Sequence, residues 1–310
     1  MTQSFLILQG MLLGATESVN LLPFVLYCIQ SPKMLRTVRD CVLFNGVLFV
    51  SLWVITSILY LLPINNSGIV AEMFYSLLSA FWVLPVYLGS QLLGLGWYQD
   101  LHRTASSLRH KSMGVAELPP PVPPSFDLIS DNIYKFLVTA LYGLIAAVVA
   151  FVPVVGEPIS FVLSAFLHAW YCFDYRFADQ RQYDPTRRAQ TALRLTAVVD
   201  VFEHRWAYFL GFGSTHIAIR LFLLQGYFGL SLFPALAICS TMYALNVVMA
   251  VDARPLPVLP SKLPVFSFAY YHVAQFAGKW ITSRRSQRQK TNDENESHSS
   301  PVTSAEEKDE

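Results

Sequence analysis

The sequence predicts an all-α membrane protein. Its plan is three antiparallel helical pairs, about six membrane helices that either cross or re-enter, with interfacial helices at the N- and C-terminal ends. Three observations predict this. First, the 310-residue chain is 54% hydrophobic and 14% charged, with a mean hydropathy of +0.41; a soluble domain carries about 25% charged residues. Phe and Tyr together number 37, more apolar surface than a soluble core of this size needs. Second, uncharged runs of membrane-crossing length recur along the chain. Third, the basic residues fall only in alternate loops. These features exclude a soluble enzyme, a coiled coil and a disordered chain. Cys28, Cys41, Cys172 and Cys239 lie far apart, which excludes a disulfide framework and gives no metal-ligand spacing.

The N-terminal stretch Ser4 to Ile29 is apolar but broken by Gln9, Gly14, Glu17, Asn20 and Pro23. It has no basic leader and no A-x-A cleavage pattern, so it reads as a helix at the interface or dipping partway in. Val42 to Leu62 is the first clear span, uncharged and 21 residues long, or about 31 Å as a helix. Pro63, Asn65, Asn66 and Gly68 turn the chain into the second span, Met73 to Gly96, where Pro85 predicts a kink. Residues 98–132 form a polar loop ending in the run Pro119–Pro124, a stiff extended spacer. Ile133 to Val152 and Ile159 to Phe173 are joined by an apolar turn. The second of these runs has only 15 residues, so two tilted spans and a re-entrant hairpin both fit. The third pair is Trp206 to about Leu224 and Phe228 to Val251. Val265 to Ala277 is too short to cross and reads as interfacial. From Ser283 onward the chain is polar and aperiodic, hence disordered. The regions are therefore 1–41, an interfacial N-terminal helix region; 42–278, a multi-spanning helical domain; and 279–310, a basic then acidic cytosolic tail.

Orientation follows from the basic residues. Lys33, Arg36 and Arg39 precede the first span. Arg103, Arg109 and Lys111 follow the second, and Arg176, Arg181, Arg187, Arg188, Arg194 and Arg205 lie between the second and third pairs. The turns at 63–72, 153–158 and 225–231 carry none. One topology satisfies every loop: both termini and both long loops are cytosolic.

Few polar side chains interrupt the apolar runs. Lys135 can snorkel. Glu157 sits at a turn. Arg220 lies deep in the third pair, where an anion or headgroup contact competes with snorkelling or a helix–helix pair. His168 and Cys172 share a helix face, but a metal would need another convergent ligand, so packing is the better reading. Nothing in the chain makes a catalytic constellation, and no cofactor motif is present. Three stretches mix aromatics with charges where spans enter the cytosol: Trp97, Gln99 and Asp100; Asp174 and Arg176; Glu203 and Arg205. They read as an interface belt. Asp100, Asp174 and Glu203 can also pair with Arg176 or Arg205, tying the helical pairs together.

These residues carry a resemblance. Phe44–Phe49, Phe81–Pro85, Trp97–Asp100, Tyr171–Arg176 and Glu203–Trp206 continuing to Gly213 resemble the etoposide-induced protein 2.4 family, in order, over roughly residues 10–275. The chain departs from that family in its short N-terminus and its own C-terminal tail. The resemblance implies a non-enzymatic multi-pass protein of the endoplasmic reticulum membrane acting in autophagosome formation and maturation, with links to apoptosis in animals. It implies membrane lipids and other autophagy or membrane-contact proteins as partners, and no nucleic acid. The chain is also distantly similar to the bacterial CysZ sulfate permease group, whose hairpins are partly re-entrant. That similarity implies the alternative function of an anion or lipid-headgroup conduit.

Overall fold

A computed structural model describes residues 3–43, 46, 84–114, 126–182, 191–225, 232–268 and 271–272. Most of the first span, the second span before Leu84, the proline run, residues 226–231 and the tail lie outside the described residues; Pro85 stands at the edge of them, in the helix that begins at Leu84, and the residues across which its kink is expected lie outside. Within them every regular element is a helix. α1 is Gln3–Val19 and α2 Leu22–Gln30. α3 covers residues 32–43, α4 Leu84–Ser112 and α5 Phe126–Val149. α6 is Gly156–Gln182, α7 Thr191–His204, α8 Trp206–Gln225 and α9 Leu232–Asp252. The all-helical class stands. Among the described residues two stretches, Gln3–Gln30 with 28 residues and Trp206–Leu224 with 19, are long and apolar enough to cross a membrane.

Local chemistry sets the helix boundaries. Pro23 stands in the first turn of α2, where the missing N–H would have had no intrahelical partner. Ser31 caps α3: its Oγ accepts the Met34 N–H at 3.2 Å, and Pro32 follows at the first helical position. Two helices are longer than the apolar runs suggest. α4 continues through the segment read as a polar loop, burying Tyr98, Leu101, His102, Ala105 and Ser106. The short run 159–173 is the middle of α6, whose 27 residues reach about 40 Å. Polar residues at the ends of both helices disguised their length, because the apolar count stopped before the helix did. The turn between α5 and α6 is apolar, as its sequence indicates. Phe151 is 87% exposed and Val154 93% exposed at its tip, and Val154 adopts a φ of 67°, strained for a β-branched residue.

Packing centres on α8 rather than running pair by pair. α8 lies against α1 and α6 more extensively than against α9. Glycines allow this. A Cβ on Gly211 would lie 2.7 Å from the Met11 carbonyl carbon, and one on Gly213 would lie 2.6 Å from that of Ala165. Two residues apart, these glycines face opposite sides of α8, so the backbones of α1 and α6 both approach it closely. α1 answers with Gly10, Gly14 and Ser18, a buried stripe at four-residue spacing; Ser18 Oγ meets Thr215 Oγ1 at 2.6 Å. The N-terminal helix, expected at the interface, is thus packed along the central helix.

The core is aromatic. Phe173 meets Phe209 and Phe212 edge-on, each with ring centroids 5.0 Å away. Phe202 stacks on Phe209 at 3.6 Å. Phe266 stacks on Tyr142 at 4.5 Å, so the start of the segment read as interfacial enters the core instead. The chain reaches that point through an extended strap, residues 253–264, whose prolines cannot propagate a helix.

Candidate functional site

Two polar assemblies interrupt this apolar interior. The first fastens the helix ends. Arg176 Nη1 donates to the Ala250 carbonyl at 3.1 Å and to that of Ala253. Arg109 reaches the Val251 carbonyl and Asp252, the latter at 3.3 Å. The last carbonyls of α9 have no intrahelical donors, and two guanidinium groups satisfy them at the negative end of the helix dipole. Tyr27 Oη donates to Asp252 at 2.6 Å, adding α2. Glu17, the charge that broke the N-terminal run, accepts from Tyr208 Oη and from the Arg254 N–H.

Glu203 is fully buried. Its carboxylate accepts the N–H groups of Phe266 and Ser267 at 3.0 and 2.7 Å and the Ser267 hydroxyl, and it pairs with Lys262 at 3.2 Å. It therefore holds the strap rather than facing lipid headgroups. Lys262 also binds exposed Asp200 at 2.8 Å. That hydrogen bond lowers the Asp200 carboxyl below its usual range and raises the Lys262 ammonium above its own.

Of the residues expected to tie the helical pairs together, the structure gives partners for two. Arg176 binds carbonyls, and Glu203 binds backbone N–H groups and Lys262. Trp97 is half-buried against the cluster around Tyr98 and Leu101. Gln99 and Asp100 are exposed, Asp174 is half-buried on α6, and Arg205 sits half-buried in the turn between α7 and α8.

The second assembly surrounds Arg220. A cavity of about 270 Å³ opens between α4, α6, α8 and α9, lined by residues that include Arg220, His216, His168, Ser240 and Tyr243. The His168 and His216 rings stack with centroids 3.7 Å apart and planes 13° from parallel. His168 Nε2 lies 2.9 Å from Asn246 Nδ2 and 3.5 Å from Cys172 Sγ. The shared face of His168 and Cys172 is real, and its third partner is an amide. Among the described residues no three His, Cys, Asp or Glu side chains gather to hold a metal ion. Arg220 Nε and His216 Nδ1 are buried with no hydrogen-bond partner among the described residues. Sequence reasoning passed over His216 and Asn246. The signal was present: His216 precedes Arg220 by one helical turn, so both lie on one face of α8.

Fold and site together define a class: an all-helical membrane protein with a polar cavity between its helices. The chain belongs to the family described as sulfate transporter CysZ/etoposide-induced protein 2.4, whose family model matches residues 21–240. A protein EI24 homolog of Dictyostelium discoideum is 26% identical over 269 residues, covering 82% of this chain and 79% of that protein. A protein EI24 homolog of Arabidopsis thaliana is also 26% identical, covering 74% of this chain and 81% of its own. Ectopic P granules protein 4 of Caenorhabditis elegans is 26% identical over 135 residues, 43% of this chain and 37% of that protein. No solved structure matches.

Proposed function

We propose that this is a non-enzymatic multi-pass protein of the endoplasmic reticulum membrane that acts in autophagy, in the formation of autophagosomes and their maturation to degradative autolysosomes. The observation that carries the reading is the family match across residues 21–240, together with relatives of similar length from an amoeba and a plant. In this reading both termini face the cytosol, and the basic residues after Val251 draw the tail toward anionic lipid, at about 1 kcal/mol each near the surface. Membrane lipids and other autophagy or membrane-contact proteins are the partners. Proximity labelling from the C-terminal tail tests it. Endoplasmic reticulum membrane proteins and autophagosome-forming proteins should dominate the labelled set; labelling of lumenal proteins, or of another organelle alone, would overturn it.

A second reading is favoured by one observation, the Arg220 Nε on the cavity wall, buried with no hydrogen-bond partner among the described residues. There the protein passes an anion or a lipid headgroup between its helices. Sulfate or fluorescent-lipid flux in liposomes holding the pure protein, abolished by Arg220→Ala, would favour it over the organiser reading.

A further inference from the structure

The Arg220 cavity holds a cation for which the described residues supply no partner. Buried donors are almost always satisfied within a protein. Here two buried nitrogens have no partner among the described residues: Arg220 Nε, a donor, and Nδ1 of His216, a side chain only 7% exposed. Both sit on the wall of the same cavity, one turn apart on α8. A guanidinium in such a place ordinarily finds a carboxylate, yet no Asp or Glu lines this cavity. Among the described residues none supplies that counter-charge.

The wall also says which anion. Arg220 is the one permanent cation among the lining residues, so a singly charged group is matched and a dianion leaves a negative charge uncompensated where solvation is poor. The planar fork of the guanidinium favours an oxoanion held by two oxygens. The volume of about 270 Å³ corresponds to roughly nine waters of the bulk liquid, more than a bare tetrahedral ion fills. Leu167, Ile217 and Cys239 give the remaining space apolar walls, which suit an organic substituent.

We propose that the Arg220–His216 cavity binds a singly charged phosphate ester, taken from the surrounding lipid or from solution, in preference to free sulfate. The inference rests on the anion reading of this cavity but concerns binding rather than passage.

Titration calorimetry on the full-length protein in neutral detergent micelles tests it, with dimethyl phosphate, dioctanoyl phosphatidylglycerol and inorganic sulfate as probes. At least one ester should bind ten times more tightly than sulfate or better, and Arg220→Gln should weaken that binding at least tenfold. Tighter binding of the lipid than of dimethyl phosphate identifies the membrane as the source; the reverse identifies solution. Should Arg220→Gln fail to fold, Arg220→Lys keeps the charge without the fork and should weaken ester binding severalfold. Sulfate binding as tightly as the esters, absence of ester binding, or ester binding indifferent to both substitutions overturns the proposal. Flux measured on the same preparations separates the two ideas. Flux without ester binding retains passage and overturns this site assignment; ester binding without flux retains the site and overturns passage.

Discussion

Replacing Gly213 by alanine sets two effects of opposite sign against each other. Removing a glycine from a helix interior stabilises it by up to about 1 kcal/mol. Against this, the new methyl would stand 2.6 Å from the Ala165 carbonyl carbon and 3.0 Å from its Cα, where carbon atoms rest at about 3.5–4.0 Å. The obstacle is backbone, which cannot rotate aside, so α6 and α8 must part by on the order of 1 Å. A gap of that size forfeits up to about half of each contact along the interface, and overpacking costs about 1–3 kcal/mol. The clash wins: Gly213→Ala should destabilise by about 1–2 kcal/mol net. Gly143 on α5 is the internal control. Its methyl would meet only the Leu167 Cδ2 at 3.6 Å, ordinary contact with a flexible side chain, so Gly143→Ala should be neutral or stabilising by up to ~1 kcal/mol. Unfolding of both variants in micelles of rising dodecyl sulfate gives the comparison. A Gly213→Ala protein as stable as Gly143→Ala would refute the close approach of α6 and α8.

Glu203→Ala should destabilise by about 3 kcal/mol, because it strands the buried donors of Phe266 and Ser267; a loss under about 1 kcal/mol in the same assay would show that the strap is held elsewhere. The Lys262–Asp200 pair gives a pH window. Asp200 is lowered from an ordinary value of 3.8, so its contribution is present above that value and is lost as pH falls through its lower folded value. Lys262 is raised from 10.5, so its contribution is present below that value and is lost as pH rises through its higher folded value. A nitroxide on Ser261→Cys should therefore be most immobile between about pH 4 and 10, and mobility independent of pH across both limits would count against the fastening. The sequons Asn65-Asn66-Ser67 and Asn295-Glu296-Ser297 test the proposed orientation: with both termini cytosolic, the first is expected too near the bilayer for glycosylation and the second in the cytosol, so glycosidase treatment should leave the mass unchanged. A native glycan at Asn295 would place the tail in the lumen.

How far the sequence carried depended on which signal each element emits. The helical class, the start of α8 and the end of α9 were legible because apolar runs bounded by charge mark them directly. The lengths of α4 and α6 were not, since Tyr98, His102 and Ser106 are buried through helix–helix contact that composition does not register. Arg176 and Glu203 were legible as anchors, but their partners are backbone groups, which have no letter in a sequence. Gly10, Gly14 and Ser18 stand at four-residue spacing, a pattern that permits close helix contact; sequence reasoning passed over it, taking Gly14 only as a break in an apolar run. Arg220 stood out as a lone charge. His216 did not, because a histidine in an apolar helix has many meanings until its neighbour's ring is seen stacked on it.

Autophagic flux in cells of the parent species tests the central claim most directly. Cells lacking the protein should accumulate autophagosomes that fail to acidify, read by a tandem pH-sensitive reporter on the autophagosome membrane, and re-expression of the full chain should restore delivery to lysosomes. Normal delivery in the deleted cells would contradict the account.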